Sequence, residues 1–303
     1  MCFRKSYSII PENTPNFTYI FFFFQKLINA YFYIRSGVFC RMIKNLYLAN
    51  MLRLEFLSGG YVKLNKKWYL KGKAFQFNIL YYIFSGSAEL SCNGETIALV
   101  PGNLYLLPAG LPIAYRCPEA MEQFFLHVTL TTPEGFDMLS GLKKVCRLPC
   151  SQEQLEQLKR LYYSEDYKHL LAFKSQVTQD VVSCLLREDV SFQTKPYSAE
   201  VLQAISYIQN NISIQLNCNQ IAKAIFISPS RLHKRFKAET GLTLGAYQDR
   251  LIFYRATQLL AEKKLSIKEI SQQLGFCDEH YFSRRFKEKM GMTPTGYRKY
   301  HLA

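Results

Sequence analysis

At 303 residues the chain is long enough for two domains that each bury a core of their own. Its nine cysteines show no CxxC spacing, which excludes a disulfide-stapled secreted scaffold and reads as reduced thiols in a cytoplasmic protein. The formal net charge of +15 says little by itself, so any case for an anionic partner rests on where the cations cluster.

Residues 1–50 differ from the rest. Phe17 to Ile34 is strongly aromatic but is broken by Gln25, Lys26 and Asn29, and its apolar run from Phe17 to Phe24 falls short of the roughly 20 residues a spanning helix needs. No small-residue cleavage site marks a signal peptide. We read this stretch as a poorly ordered extension, or as sequence upstream of a true start at Met51, and expect no membrane association. A membrane-tethered protein using the aromatic segment is the competing reading.

From residue 51 to 133 apolar, β-branched and aromatic runs recur between turn signals: Phe75–Phe84, Ala88–Cys92, Thr96–Val100, Leu104–Leu107, Ile113–Arg116 and Phe124–Leu130. Asn93-Gly94 is the strongest hairpin signal among them. Short strands at even spacing predict a sandwich or barrel over 51–150. Metal chemistry on such a barrel needs a cluster of imidazoles and carboxylates, and His127 is the one histidine in that span, so no metal, no cofactor and no enzymatic activity are expected. The aromatic residues Trp68, Tyr69, Tyr81, Tyr82, Tyr105 and Tyr115 offer stacking faces with polar tips for a small ligand such as a sugar, with Trp68, Tyr82, Tyr105 and Tyr115 the chosen pocket; residue by residue, plain core packing competes with that reading.

Ser151 to about Leu186 turns helical. Ser151 and Gln154 form a capping box, and Leu155, Leu158, Leu161 and Tyr162 make one stripe. Leu170, Phe173, Val177, Val181 and Leu185 make a second, so 151–188 is a helical hairpin. Cys146 and Cys150 could in principle form a redox pair, although nothing nearby in the sequence supports it. Residues 189–198 read as a linker.

The final segment, 199–303, contains one pattern twice. Ser228 to Tyr247 reads SPSRLHKRFKAETGLTLGAY, and Asp278 to Tyr297 reads DEHYFSRRFKEKMGMTPTGY. Arg235/Arg285, Phe236/Phe286, Lys237/Lys287, Gly241/Gly291, Thr243/Thr293 and Tyr247/Tyr297 are identical, and upstream Ile221/Ile270 and Ile227/Phe276 continue the match. Two copies are too few for a solenoid, which needs about three. Each copy has a short helix, a turn, a second helix opened at Ser228-Pro229 in the first copy, and a glycine stop, which is a helix-turn-helix signature. On the second helix Leu232 and Phe236 share the core face. Lys234 points away, flanked by Ser230, Arg231 and Lys237. In the other copy Phe282 and Phe286 face the core, and His280, Tyr281, Arg284 and Lys287 face out. A cationic, hydrogen-bonding face backed by an apolar one suits a major-groove recognition helix. Residues 197–303 carry 16 Lys+Arg against 8 Asp+Glu, a net of +8, whereas residues 51–196 carry 16 against 14. Phosphate contacts need such a local excess.

These residues resemble the double helix-turn-helix DNA-binding domain of AraC/XylS-type regulators, above all the end pattern Gly275-Phe276, Tyr281 to Lys287 and Gly291 to Arg298. Similarly, Gly94 to Pro108 resembles the cupin-like jelly roll of their sensor domains. The resemblance implies an α+β multidomain protein: a cupin-like jelly-roll barrel with a helical hairpin over 51–188, then an all-α domain of two helix-turn-helix units joined by a long helix, about Leu244 to Ala261. Ile252 stands where many relatives carry arginine, so that arginine's contact is not carried over. The resemblance further implies an effector-responsive transcriptional activator, homodimeric through the hairpin, with double-stranded DNA and RNA polymerase as partners. Base contacts are expected at Ser230, Arg231, His233, Lys234, His280, Ser283 and Arg284, and phosphate contacts at Arg235, Lys237, Arg285, Lys287 and Arg298.

Overall fold

The alternating apolar runs form the strands they predict, and three further strands join them. The computed structural model describes residues 49–188, 197–262 and 264–300. The aromatic segment 17–34 and the linker residues 189–196 lie outside the described residues. Nine strands follow in chain order: β1 Arg53–Asn65, β2 Tyr69–Lys73, β3 Asn78–Gly86, β4 Ala88–Cys92, β5 Glu95–Leu99, β6 Asn103–Leu107, β7 Ile113–Arg116, β8 Ala120–Thr131 and β9 Cys146–Pro149. They make a five-stranded sheet in the order β1-β8-β3-β6-β9 and a four-stranded sheet in the order β2-β7-β4-β5. Asn93 and Gly94 both take positive φ, 51° and 82°, as a two-residue turn between β4 and β5 requires.

Inward-facing residues of the two sheets, among them Tyr81, Ile83, Tyr105, Leu90, Leu99 and Ile113, meet in one apolar cluster. The other face of the five-stranded sheet is covered by α1 (Gln152–Tyr162) and α2 (Tyr167–Arg187). The capping box opens α1 as expected: the Gln154 amide donates to Ser151 Oγ at 3.2 Å, and the Ser151 amide to Gln154 Oε1 at 2.8 Å. Leu155 and Leu158 are buried beneath it. On α2 the buried stripe is Phe173, Val177, Val181 and Cys184, so Cys184 takes the place expected for Leu185, and Leu170 is exposed.

β1 runs through Gly59-Gly60 without a break. A Cβ at Gly59 would come within 2.4 Å of Leu126 Cδ2 and 2.9 Å of the Phe125 carbonyl, so this glycine lets β1 lie close along β8 instead of breaking it.

The carboxy-terminal helices are α3 Ala199–Asn210, α4 Cys218–Ala224, α5 Pro229–Thr240, α6 Leu244–Ala261, α7 Ile267–Gln273, α8 Glu279–Met290 and α9 Pro294–Tyr300. The first helix-turn-helix unit has its own core, in which Leu232 and Phe236 of α5 pack with Ile205, Ile208, Ile221 and Tyr247. The second does not. Phe282, Phe286 and Tyr297 belong to the same cluster as the barrel interior. The Tyr297 hydroxyl donates to the Leu57 carbonyl of β1, and Phe75 closes against Gly291, where a Cβ would stand 3.0 Å from its ring. The loop after β8 makes the other seam: the Tyr247 hydroxyl donates to the Glu134 carbonyl at 2.6 Å, and Arg250 Nη2 of α6 lies 3.5 Å from Asp137 Oδ2.

Candidate nucleic-acid interface

Both recognition helices are built by the same local chemistry. Ser228 caps α5 through the Arg231 amide and Asp278 caps α8 through the Tyr281 amide, and each helix ends on a left-handed glycine, Gly241 (φ 73°) and Gly291 (φ 86°). Leu232 and Phe236 of α5, and Phe282 and Phe286 of α8, are fully buried. Their opposite faces turn to solvent: Ser230, Arg231, His233, Lys234 and Lys237 are exposed on α5, and His280, Arg284 and Lys287 on α8, with Ser283 half-buried between them. The Arg284 guanidinium sits 5.4 Å from the Tyr281 ring centre, a cation–π contact that leaves its donors pointing outward.

The arginine shared by the two copies has a different setting from its neighbours. Arg235 bonds Glu200 of α3 at 2.5 Å and Glu239, one turn on, at 2.9 Å. These carboxylates hold its guanidinium above the ordinary arginine range. Glu239 in turn accepts from the amide and hydroxyl of Ser198. Its counterpart Arg285 bonds both oxygens of Asp249 on α6 at 2.9 Å, and Lys289 bonds the same carboxylate at 2.9 Å. Arg298 donates to the Leu265 carbonyl at 2.6 Å, and Arg231 reaches Glu200 at 2.6 Å. Four arginines expected to face DNA therefore have intramolecular partners, whereas Lys234, Lys237, Arg284 and Lys287 have none among the ion pairs described. The acids Glu200 and Asp249 were missed in the sequence because each lies on another helix. The one signal available was that a fixed arginine in two copies also fits a structural clamp.

In the barrel, Trp68 stacks on Tyr115 with ring centres 3.9 Å apart and meets Tyr81 edge-on at 6.0 Å. Tyr105 lies on the same side, its hydroxyl spent on the Ala98 carbonyl at 2.8 Å. Tyr82 does not join them. Adjacent strand residues face opposite ways, and Tyr82 turns to the hairpin, donating to Asp180 at 2.8 Å. Tyr82 therefore lies apart from Trp68, Tyr105 and Tyr115, with which the sequence grouped it, and Tyr81 stands on their side of the sheet. Gln123 joins the interior set by the alternation of β8 between Met121 and Phe125, and its buried Oε1 has no partner. Among the described residues no three His, Cys, Asp or Glu side chains stand where they could hold a metal ion, and no helix is long and apolar enough to cross a membrane.

Residues 221–300 match the family described as a helix-turn-helix domain, and residues 71–172 match the AraC-like ligand binding domain. The chain is 27% identical to the Msm operon regulatory protein of Streptococcus mutans over 240 residues, 73% of this chain and 84% of that one. It is 24% identical to the lactose operon transcription activator of Staphylococcus xylosus over 252 residues, 74% and 84% of the two chains. The arabinose operon regulatory protein of Salmonella typhimurium is 26% identical over 237 residues, covering 73% and 83%. Among solved structures, ToxT from Vibrio cholerae superimposes with a TM-score of 0.52 at 14% identity over 83% of this chain and 99% of that one, a likeness of fold.

Proposed function

The chain belongs to the AraC/XylS-type transcriptional regulators, and from that premise we propose that α5 and α8 enter successive major grooves on one face of the DNA under the control of a small-molecule effector. The observation that carries this reading is the duplicated helix, which keeps a buried aromatic back and an exposed cationic front in both copies. Ser230, His233 and Lys234 read base edges from α5, and His280, Ser283 and Arg284 from α8. Lys237 and Lys287 hold phosphates and set register. Arg235, Arg285 and Arg298 are reassigned from phosphate contacts to positioning residues. Arg231, itself exposed, exchanges its partner Glu200 for DNA.

The effector is placed between the sheets, where Trp68, Tyr115 and Tyr81 offer ring faces and Gln123 an unused acceptor. The lactose and arabinose regulators among the relatives favour a sugar as its chemical class. The protein acts in the cytoplasm, where its DNA lies. It dimerises through the hairpin, whose outer face shows Tyr163, Tyr167 and Leu171 to solvent, and it activates by engaging RNA polymerase.

Affinity measured on specific and random DNA across salt tests the assignment. Arg284→Ala should relax preference at one base position at a cost of about 1–3 kcal/mol, whereas Lys287→Ala should weaken every sequence alike and lower the salt slope by about 1. Equal losses from both on specific and random DNA would remove the base-reading role.

A further inference from the structure

The barrel domain carries one dense run of positive charge, and one end of that run lies against the second recognition helix. Residues 56–88 hold Lys63, Lys66, Lys67, Lys71 and Lys73 and no Asp or Glu. Without those five, residues 51–196 carry 11 Lys+Arg against 14 Asp+Glu, so the positive charge of this domain is local. Lys63 is taken by Glu122 at 2.8 Å, whereas the other four have no partner among the ion pairs described. Lys66 and Lys67 precede β2, and Lys71 and Lys73 stand on it, at the edge of the four-stranded sheet.

The strand is irregular where those last two lysines stand. Its register against β7 shifts between Leu70 and Lys73, and Gly72 takes φ 35°. Such a bulge re-aims the side chains beside it. Lys73 Nζ lies 5.2 Å from the centre of the Phe75 ring, the same ring that closes against Gly291 at the end of α8. A Cβ on Gly291 would stand 3.8 Å from that ammonium. The Gly291 amide donates to the Lys287 carbonyl at 3.0 Å, so Lys73 meets α8 one helical turn, about 6 Å, beyond Lys287. Burial and the charge of Lys287 hold the Lys73 ammonium below the usual lysine range, while the exposed Glu288 works the other way. Two ammoniums held near each other repel, and an anion shared between them relieves the repulsion.

We propose that Lys71 and Lys73 bind DNA phosphates next to the one that Lys287 holds, so that the sensor domain is itself part of the DNA interface. The assignment rests on α8 lying in a major groove. A DNA strand carries one charge for about every 3.4 Å of its axis, so a strand that reaches Lys287 presents further phosphates to a lysine one helical turn away. Phosphate contacts set register without reading sequence, so these two lysines strengthen binding to every duplex alike. Lys66 and Lys67 lie at the far end of β2, roughly 13 Å or more from Lys73, and the contact belongs to Lys71 and Lys73. A lysine beside a helix C-terminus also suits the helix dipole, and lysines on an edge strand keep other strands away. Neither of those roles alters the salt dependence of DNA binding, which the experiment reads.

The full-length Lys71→Ala/Lys73→Ala variant is titrated with a random-sequence duplex between about 50 and 200 mM salt, beside the wild type and Lys287→Ala. Each lost phosphate contact removes about 0.9 from the slope of log affinity against log salt, so the double variant should fall by about 2. Over that salt range the wild type should therefore lose roughly tenfold more affinity than the double variant. Lys71→Arg/Lys73→Arg should keep the wild-type slope. Amine labelling of the wild-type protein needs no variant: the duplex should shield Lys71 and Lys73 together with Lys287, and leave the exposed Lys168 of α2 as reactive as before. A double variant with the wild-type slope, while Lys287→Ala lowers it by about 1, overturns the sensor contact and leaves the role of α8 standing. No change from either variant removes both. Unchanged labelling of Lys71 and Lys73 while Lys287 is shielded overturns the contact as well.

Discussion

Phe226 holds a backbone angle that the second copy of its unit assigns to glycine. At the offset of 49 its counterpart is Gly275; Phe226 has φ 58° and Gly275 has φ 78°. The phenyl ring is 94% exposed, so no burial offsets the strain of a left-handed aromatic residue. Phe226→Gly should raise the melting temperature, with relief on the order of 1 kcal/mol, in a thermal scan. A second residue ties stability to pH. Burial pushes the Asp180 carboxyl up from its ordinary 3.8 to about 6, while the Tyr82 hydroxyl donating to it works the other way. A carboxyl raised in the fold binds its proton more tightly there than in the unfolded chain. Its contribution is therefore full below about pH 4 and lost as pH climbs to about 6, roughly 3 kcal/mol in all. Asp180→Asn, which keeps an acceptor for Tyr82, should remove that slope in denaturant titrations between pH 4 and 7.

At the scale of elements, each recognition helix is fixed by one arginine gripped by an acid from a neighbouring helix, and the two grips differ in depth. Arg285 and Asp249 are largely shielded from water, with Lys289 on the same carboxylate, whereas Arg231 and Arg235 share Glu200 nearer the surface. Asp249→Ala should thus cost roughly 1–3 kcal/mol by stranding a shielded guanidinium whose Nε already lacks a partner. Glu200→Ala should cost less than about 1 kcal/mol, the usual range of a screened surface pair. Chemical denaturation of the two variants checks the order. These clamps mark the limit of what the sequence discloses. Caps, glycine stops, the long joining helix Leu244–Ala261 and the Asn93-Gly94 turn were legible because each depends on residues within a few positions. The pairing of Arg285 with Asp249, the glycine approach that creates β1, and the opposed directions of Tyr81 and Tyr82 depend on segments distant in the chain. Cys184 in place of Leu185 shows the intermediate case, in which helical periodicity locates the stripe but neighbouring packing selects its last member.

For the molecule as a whole, the sensor and the DNA-binding helices meet along two seams of different chemistry. One is polar. Asp137 is fully buried in the barrel, takes hydrogen bonds from Asn78 and from the Leu130 and Leu139 amides, and faces Arg250 of α6. The Asn78 side chain also accepts from the Ala109 amide, so a loop at the end of β6 and the joining helix share one buried network. Arg250→Met should weaken this seam without emptying the barrel, and hydrogen exchange should rise in residues 132–137 while β3 and β6 stay protected. The other seam is apolar, where Leu57 and the barrel interior run into Phe282, Phe286 and Tyr297. That continuity bears on anyone who would build a chimera. Transplanting this sensor onto a foreign double helix-turn-helix domain would cut through a shared core, so a working graft has to carry α8 and Tyr297 along with the barrel, and a single splice between the two named domains would leave that side of the seam behind.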